Sequence, residues 1–203
     1  MLVLSGGTRG IGLAVNHKFA SGGFDIITCS RSREDLEKFS NDIRDKHPEC
    51  RLYTLVADLS DREGVQQFSE FIQETGRPVD VLVNNAGIFM PGQVHNEPDG
   101  VLEKLMNVNV FSAYHLCRAV TPGMIARRSG HIFNMCSTAS ITAYVNGGSY
   151  CISKFALYGL TRVLREELKT KGIRVTAVLP GATLTSSWEG TELPPDRFMD
   201  ASD

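Results

Sequence analysis

Apolar residues fall along this chain in short unbroken runs, separated by stretches in which they recur every three or four positions. Met1 to Leu4 is the first run, and Leu13, Ala14, Val15, Phe19 and Ala20 follow at helical spacing. Runs without alternation suit strands buried on both faces, whereas the three-to-four recurrence marks helices with one apolar side. The pattern predicts strands over Phe24 to Cys29 and Leu52 to Ala57, with a charged amphipathic helix over Arg33 to Lys46 between them. A helix over Arg62 to Glu74 leads to a strand over Val79 to Val83, and a long helical stretch over Val101 to Ile125, interrupted near Pro122, leads to another over His131 to Cys136. A helix over Ser149 to Thr170 and a strand over Ile173 to Leu179, stopped by Pro180-Gly181, complete the series. Strands and helices alternating at these lengths imply right-handed βαβ units. The expected fold is therefore α/β, a doubly wound parallel sheet in a three-layer α/β/α sandwich. No repeat, low-complexity segment or linker breaks the series, so residues 1–203 are expected to form one domain.

Ligands of such sheets lie over the carboxyl ends of the strands, where the unusual residues of this chain collect. Ser5-Gly6-Gly7-Thr8-Arg9-Gly10-Ile11-Gly12 joins the first strand to the first helix. A helix starting there aims unpaired N–H groups and its positive dipole end above the sheet, and the glycines let a phosphate approach without a Cβ clash. The expected guest is a dinucleotide pyrophosphate on a Rossmann fold; the plainer alternative is a turn without ligand. After the second strand comes Ser30-Arg31-Ser32-Arg33, with no carboxylate to take a ribose hydroxyl. Arg31, joined by Arg9 from the glycine turn, suits a 2′-phosphate, which favours NADP(H). Alternatively Arg31 and Arg33 merely solvate a loop and cap the next helix. Asp58 either accepts from an adenine amino group or caps the following helix, as Ser60 also could. The fourth strand ends in Asn84-Asn85-Ala86-Gly87, small residues that allow close approach and asparagines that can lock strands together.

The chemistry concentrates at Tyr150-Cys151-Ile152-Ser153-Lys154. Four residues apart on a helix, the Lys154 ammonium lies near the Tyr150 phenol, and the charge is expected to bring the phenol's pKa down toward the range of useful proton exchange. Ser137, at the end of the fifth strand, and Asn109 complete a set in chain order. The combination resembles the short-chain dehydrogenases and reductases, in particular NADP-dependent members similar to 3-oxoacyl-acyl-carrier-protein reductase. The resemblance runs from Leu2 to about Thr185, with Ser5 where the family's glycine motif has threonine. It implies that Ser137 bonds the substrate oxygen, that Tyr150 is general acid in reduction and base in oxidation, and that Lys154 holds the nicotinamide ribose and lowers the tyrosine pKa. Asn109 would position a proton-relaying water. The resemblance further places the cofactor against Ser5, Gly6, Thr8, Arg9, Gly10, Ile11 and Gly12, against Ser30, Arg31, Asp58 and Leu59, and against Asn85, Ala86 and Gly87. Beside the nicotinamide it adds Tyr150, Lys154, Pro180, Gly181, Thr183 and Thr185. It also implies a homodimer or homotetramer paired through the two long helices, and a final helix and seventh strand that the sequence lacks.

A net charge of −2 offers no basic field for nucleic acid or membrane, and no stretch is long and apolar enough to span a bilayer, so a cytoplasmic location is expected. The five cysteines read as reduced apolar residues, and His47 with Cys50 lacks the second ligand pair a metal needs. Phe89, Met90, Ala143, Tyr144, Val145 and Trp188 are expected to line a pocket for an apolar or aromatic carbonyl compound or alcohol, with His95 at its rim. Alternatives to an NADPH-dependent carbonyl reductase are an NAD-linked alcohol dehydrogenase on the same scaffold and a non-catalytic NADPH sensor.

Overall fold

The structure is a computed structural model that describes residues 1–183, so Thr185 and Trp188 lie outside the described residues. Its strands are β1 (Leu2–Ser5), β2 (Ile26–Ser30), β3 (Leu52–Val56), β4 (Val81–Asn84), β5 (Gly130–Met135) and β6 (Ile173–Val178). Its helices are α1 (Gly10–Ser21), α2 (Arg33–Lys46), α3 (Arg62–Glu74), α4 (Val101–Met106), α5 (Ser112–Arg127) and α6 (Gly148–Leu168). The strands form one sheet in the order β3-β2-β1-β4-β5-β6, with every pairing parallel. The order reverses between β1 and β4. That is the switch point above which such a sheet leaves a crevice.

Alternate residues of each strand serve opposite layers. Val3, Ile27, Leu82 and Ile132 pack with Phe68 of α3 and with Leu116 and Met124 of α5, while Leu2, Leu4, Ile26 and Val83 pack with Ala20 of α1 and with Phe39 and Ile43 of α2. Each fully buried Leu, Ile or Phe contributes about 1.5–3 kcal/mol, so the two layers hold the sheet between them. Polar residues tie its centre: Asn84 donates to Asn134 Oδ1 at 2.7 Å, and Asn134 donates to Thr161 of α6 at 2.9 Å.

Several boundaries correct the sequence reading. The long helical stretch is interrupted not at Pro122, which sits inside α5, but by a π-helical segment over Asn107–Phe111. Pro122 deprives only the Arg118 carbonyl of its partner, and Arg118 is exposed, where water can take that bond. The cap of α3 is neither Asp58 nor Ser60 but Asp61, which accepts from Gly64 N at 2.7 Å. Ser32 caps α2 by accepting from Asp35 N at 3.1 Å, a role neither arginine beside it fills. Among the described residues no helix is long and apolar enough to cross a membrane.

Candidate active site

The carboxyl ends of the strands open onto one cleft of about 1460 Å³, running from the β1–α1 turn past β4 and β5 to the start of α6. No side chain caps α1, and its first turn holds no acidic residue, so its leading N–H groups remain for a ligand of the cleft. Gly6 and Gly10 adopt φ of +70° and +52°, which glycine takes without strain. A Cβ on Gly12 would lie 2.5 Å from both the Gly6 carbonyl oxygen and Asn85 Nδ2, so only glycine lets the turn press against the end of β4.

That contact is what Ser5 and Asn85 serve. Ser5 Oγ accepts from the N–H groups of Asn85 and Ala86, both at 3.0 Å, while Asn85 Nδ2 donates to the carbonyls of Ser5 and Gly6 at 3.2 and 2.8 Å. Ser5 is buried beneath the turn and off the cleft wall, its hydroxyl taken up in holding β4 to β1. The remaining described positions expected against the cofactor, from Gly6 through Arg31, Asp58, Leu59 and Gly87 to Thr183, do line the cleft.

At the β2 end the structure adds a carboxylate that the Ser30-Arg31-Ser32-Arg33 stretch lacks. Asp35, in the first turn of α2, lines the same wall as Arg31, and both its oxygens meet Arg9 Nη2, at 2.9 and 2.8 Å. The Arg9 hydrogen bond holds the Asp35 carboxyl below the usual carboxylate range. The signal was present, since residue 35 lies one helical turn past the strand exit, but the expectation weighed only the residues immediately after β2.

At the other end stand Ser137, Tyr150 and Lys154. Tyr150 meets the edge of Phe89 with ring centroids 4.8 Å apart, and Lys154, whose Nζ donates to the Met135 carbonyl at 2.9 Å, lies 5.8 Å from the centre of the tyrosine ring. Burial pushes the Lys154 ammonium down to about 8. Burial also pushes the Tyr150 phenol above its ordinary value, opposed by a hydrogen bond from Ser137. This reverses the expected direction: the ammonium held beneath the ring by Met135 does not offset what the phenol loses in leaving water. Ser137 Oγ accepts from Ala139 N at 3.1 Å, capping the short 3₁₀ turn Thr138–Ser140 and leaving its own proton to donate.

Asn109 sits in the π-helical segment, buried and off the cleft wall. It accepts from Ile88 N at 2.9 Å and donates to the Ile88 carbonyl at 3.1 Å and to Ser153 Oγ at 2.9 Å. Ser153 in turn donates to the Tyr150 carbonyl at 2.7 Å. Sequence reasoning passed over Ser153, although three residues past Tyr150 on a helix it shares that face. It also passed over Glu97, which accepts from Ser149 N at 2.9 Å and from the Ser149 hydroxyl, fastening the loop after β4 to the first turn of α6 beside Tyr150. Nothing local marks Glu97, because its partner is 52 residues away in the chain. Of the expected substrate-side residues, Phe89, Tyr144 and Val145 line the cleft, whereas Met90, Ala143 and the exposed His95 do not.

Residues 1–194 match the short chain dehydrogenase family. The chain belongs to that family. It is 33% identical over 183 residues to a 3alpha-hydroxysteroid dehydrogenase of Mediterraneibacter gnavus, covering 90% of this chain and 73% of that one. It is 31% identical over 187 residues to a 3-oxoacyl-[acyl-carrier-protein] reductase of Haemophilus influenzae, covering 92% and 75%. A short-chain dehydrogenase from Sphingobium yanoikuyae, solved in complex with NADPH, superposes with a TM-score of 0.90 at 28% identity, covering 99% of this chain and 79% of that one. Membership makes this short-chain dehydrogenase an oxidoreductase of a family that uses a nicotinamide dinucleotide.

Proposed function

We propose that this short-chain dehydrogenase is an NADPH-dependent carbonyl reductase, reversible toward secondary alcohols, with Tyr150 as its general acid and base. The reading rests on one observation: Ser137, Tyr150 and Lys154 open on the same cleft as the uncapped start of α1 and the Arg31 guanidinium. The residues fit the cofactor. The bare N–H groups and glycines of the β1–α1 turn suit a pyrophosphate, and Arg31 suits a 2′-phosphate. The Sphingobium relative was solved with NADPH. When bound, that cofactor supplies the hydride.

The residues of the chain handle the proton. Ser137 donates to the substrate oxygen and stabilises charge developing there, and Tyr150 delivers the proton to the same oxygen. Lys154, with one N–H on Met135, has two left for the ribose hydroxyls. Asn109 would act on a relaying water only through its second lone pair, since its amide is already shared between Ile88 and Ser153. Phe89, Tyr144 and Val145 offer an apolar wall, which favours an uncharged ketone or aldehyde over an acid. Phe111 with Tyr114 of α5, and Ile152, Phe155 and Val163 of α6, stand exposed, and we assign that face to pairing between copies as a homodimer or homotetramer.

NADPH oxidation across a panel of ketones, aldehydes and quinones, with NADH in parallel, tests the reading. Tyr150→Phe should lower kcat by on the order of 10²–10⁴ while NADPH still binds. Full activity in that variant would remove Tyr150 from the mechanism, and NADPH binding without turnover on any compound would favour a sensor.

A further inference from the structure

Arg9 and Arg31 both face the end of the cleft that takes the adenosine half of the cofactor, but they are not equally available there. Arg31 is exposed on the wall, whereas Arg9 Nη2 is engaged by both oxygens of Asp35. The Asp35 side chain is only 17% exposed, and Ser32 holds its backbone in the first turn of α2, so the carboxylate is held more firmly than the longer, 63% exposed arginine. Among the described residues, the charged groups lining this end are Arg9, Arg31, Asp35 and Asp58, and their charges sum to zero.

A 2′-phosphate brings close to two negative charges, a 2′-hydroxyl none. The phosphate must therefore draw Arg9 away from Asp35, or share it, while standing near the carboxylate. A hydroxyl meets neither demand and can itself donate to a carboxylate. We propose that Asp35 is a specificity-determining residue that competes with the 2′-phosphate for Arg9, holding down the preference for NADPH and keeping NADH usable. The proposal rests on the cofactor reading above and assigns Asp35 the role of a counterweight to Arg31.

Isothermal titration of the full chain with NADPH and with NADH, unsubstituted and as Asp35→Asn, decides it without recourse to turnover. Asparagine keeps the shape and removes the charge, so NADPH should bind about tenfold tighter and NADH should change by less than about twofold. Raising salt should shrink the NADPH gain, because the term is Coulombic. NADPH affinity unchanged or weakened by Asp35→Asn would overturn the proposal and make Asp35 a residue that orients Arg9 for the phosphate. An Asp35→Ala variant with the same result would exclude a hydrogen bond peculiar to asparagine. If the unsubstituted chain bound neither dinucleotide, the cofactor reading would fall and this proposal with it.

Discussion

Replacing Glu97 by alanine should loosen the start of the helix that carries Tyr150 and Lys154. Glu97 gives one oxygen to Ser149 N and the other to the Ser149 hydroxyl, and the N-cap position of α6, Gly147, has no side chain to substitute. A hydrogen bond to a charged acceptor contributes about 1.5–3 kcal/mol, and a carboxylate near a helix N-terminus about 0.3–1 kcal/mol. Part of this returns when water reaches the freed Ser149 N–H, so the net loss should be about 2–3 kcal/mol. For a chain of this size that corresponds to a fall in Tm of about 5–10 °C. Glu97→Gln keeps an acceptor for Ser149 N and loses the charge, so it should recover about half of the fall. Thermal unfolding followed by circular dichroism, with kcat and KM on the best ketone, reads both consequences. Because Tyr150 follows Ser149 directly, kcat should fall in Glu97→Ala while NADPH affinity stays near that of the unsubstituted chain. A Tm within about 1 °C of the original, or glutamine no better than alanine, would refute the reasoning, for it would mean that water caps α6 as well as Glu97 does.

Burial pushes Lys154 down to about 8 in the folded protein against 10.5 unfolded, so between those values the unfolded chain carries the extra proton and the Lys154 contribution to stability should rise with pH, by up to roughly 3 kcal/mol. Lys154→Met should lose that rise in urea titrations from pH 7.5 to 9, below the range in which Cys29 and Cys117, pushed up to about 12 by burial, and Tyr150, shifted upward, contribute a decline; a rise unchanged in the variant would assign it elsewhere. Sedimentation at micromolar concentration should give a dimer or tetramer that Phe155→Glu dissociates. A monomeric unsubstituted chain would return the exposed α5 and α6 residues to ordinary surface.

What could be read from the chain alone was what neighbouring residues decide together. Continuous apolar runs gave away parallel strands covered on both faces, and Tyr150 and Lys154 announced themselves because a single helix sets their spacing. The π-helical segment was not legible, since Asn107–Phe111 has an ordinary helical composition and its widened turn is set by the contacts of Asn109 with Ile88 and Ser153. Glu97 was hidden by distance along the chain, and Asp35 by one helical turn. The direction of the Tyr150 shift was misjudged for a related reason. Proximity to a cation is visible in the sequence, but the depth at which both groups lie is a property of the assembled cleft.

The fastening of the loop after β4 has a practical side for anyone wishing to change what the enzyme accepts. Gly92 and Gly148 have room for no side chain because Glu97 fills the space beside both, and Gln93 donates to Asn146 at 2.6 Å. These few positions set the path of the loop, and Met90, Pro91, Val94 and His95 are left as passengers on it, whereas Phe89 packs on Tyr150. A library that varies Pro91, which lines the cleft, with its neighbours and preserves Phe89, Gly92, Gln93, Glu97 and Gly148 would explore a new cleft rim with the start of the catalytic helix still fastened. A graft of a relative's whole loop would first have to carry its own counterpart of Glu97.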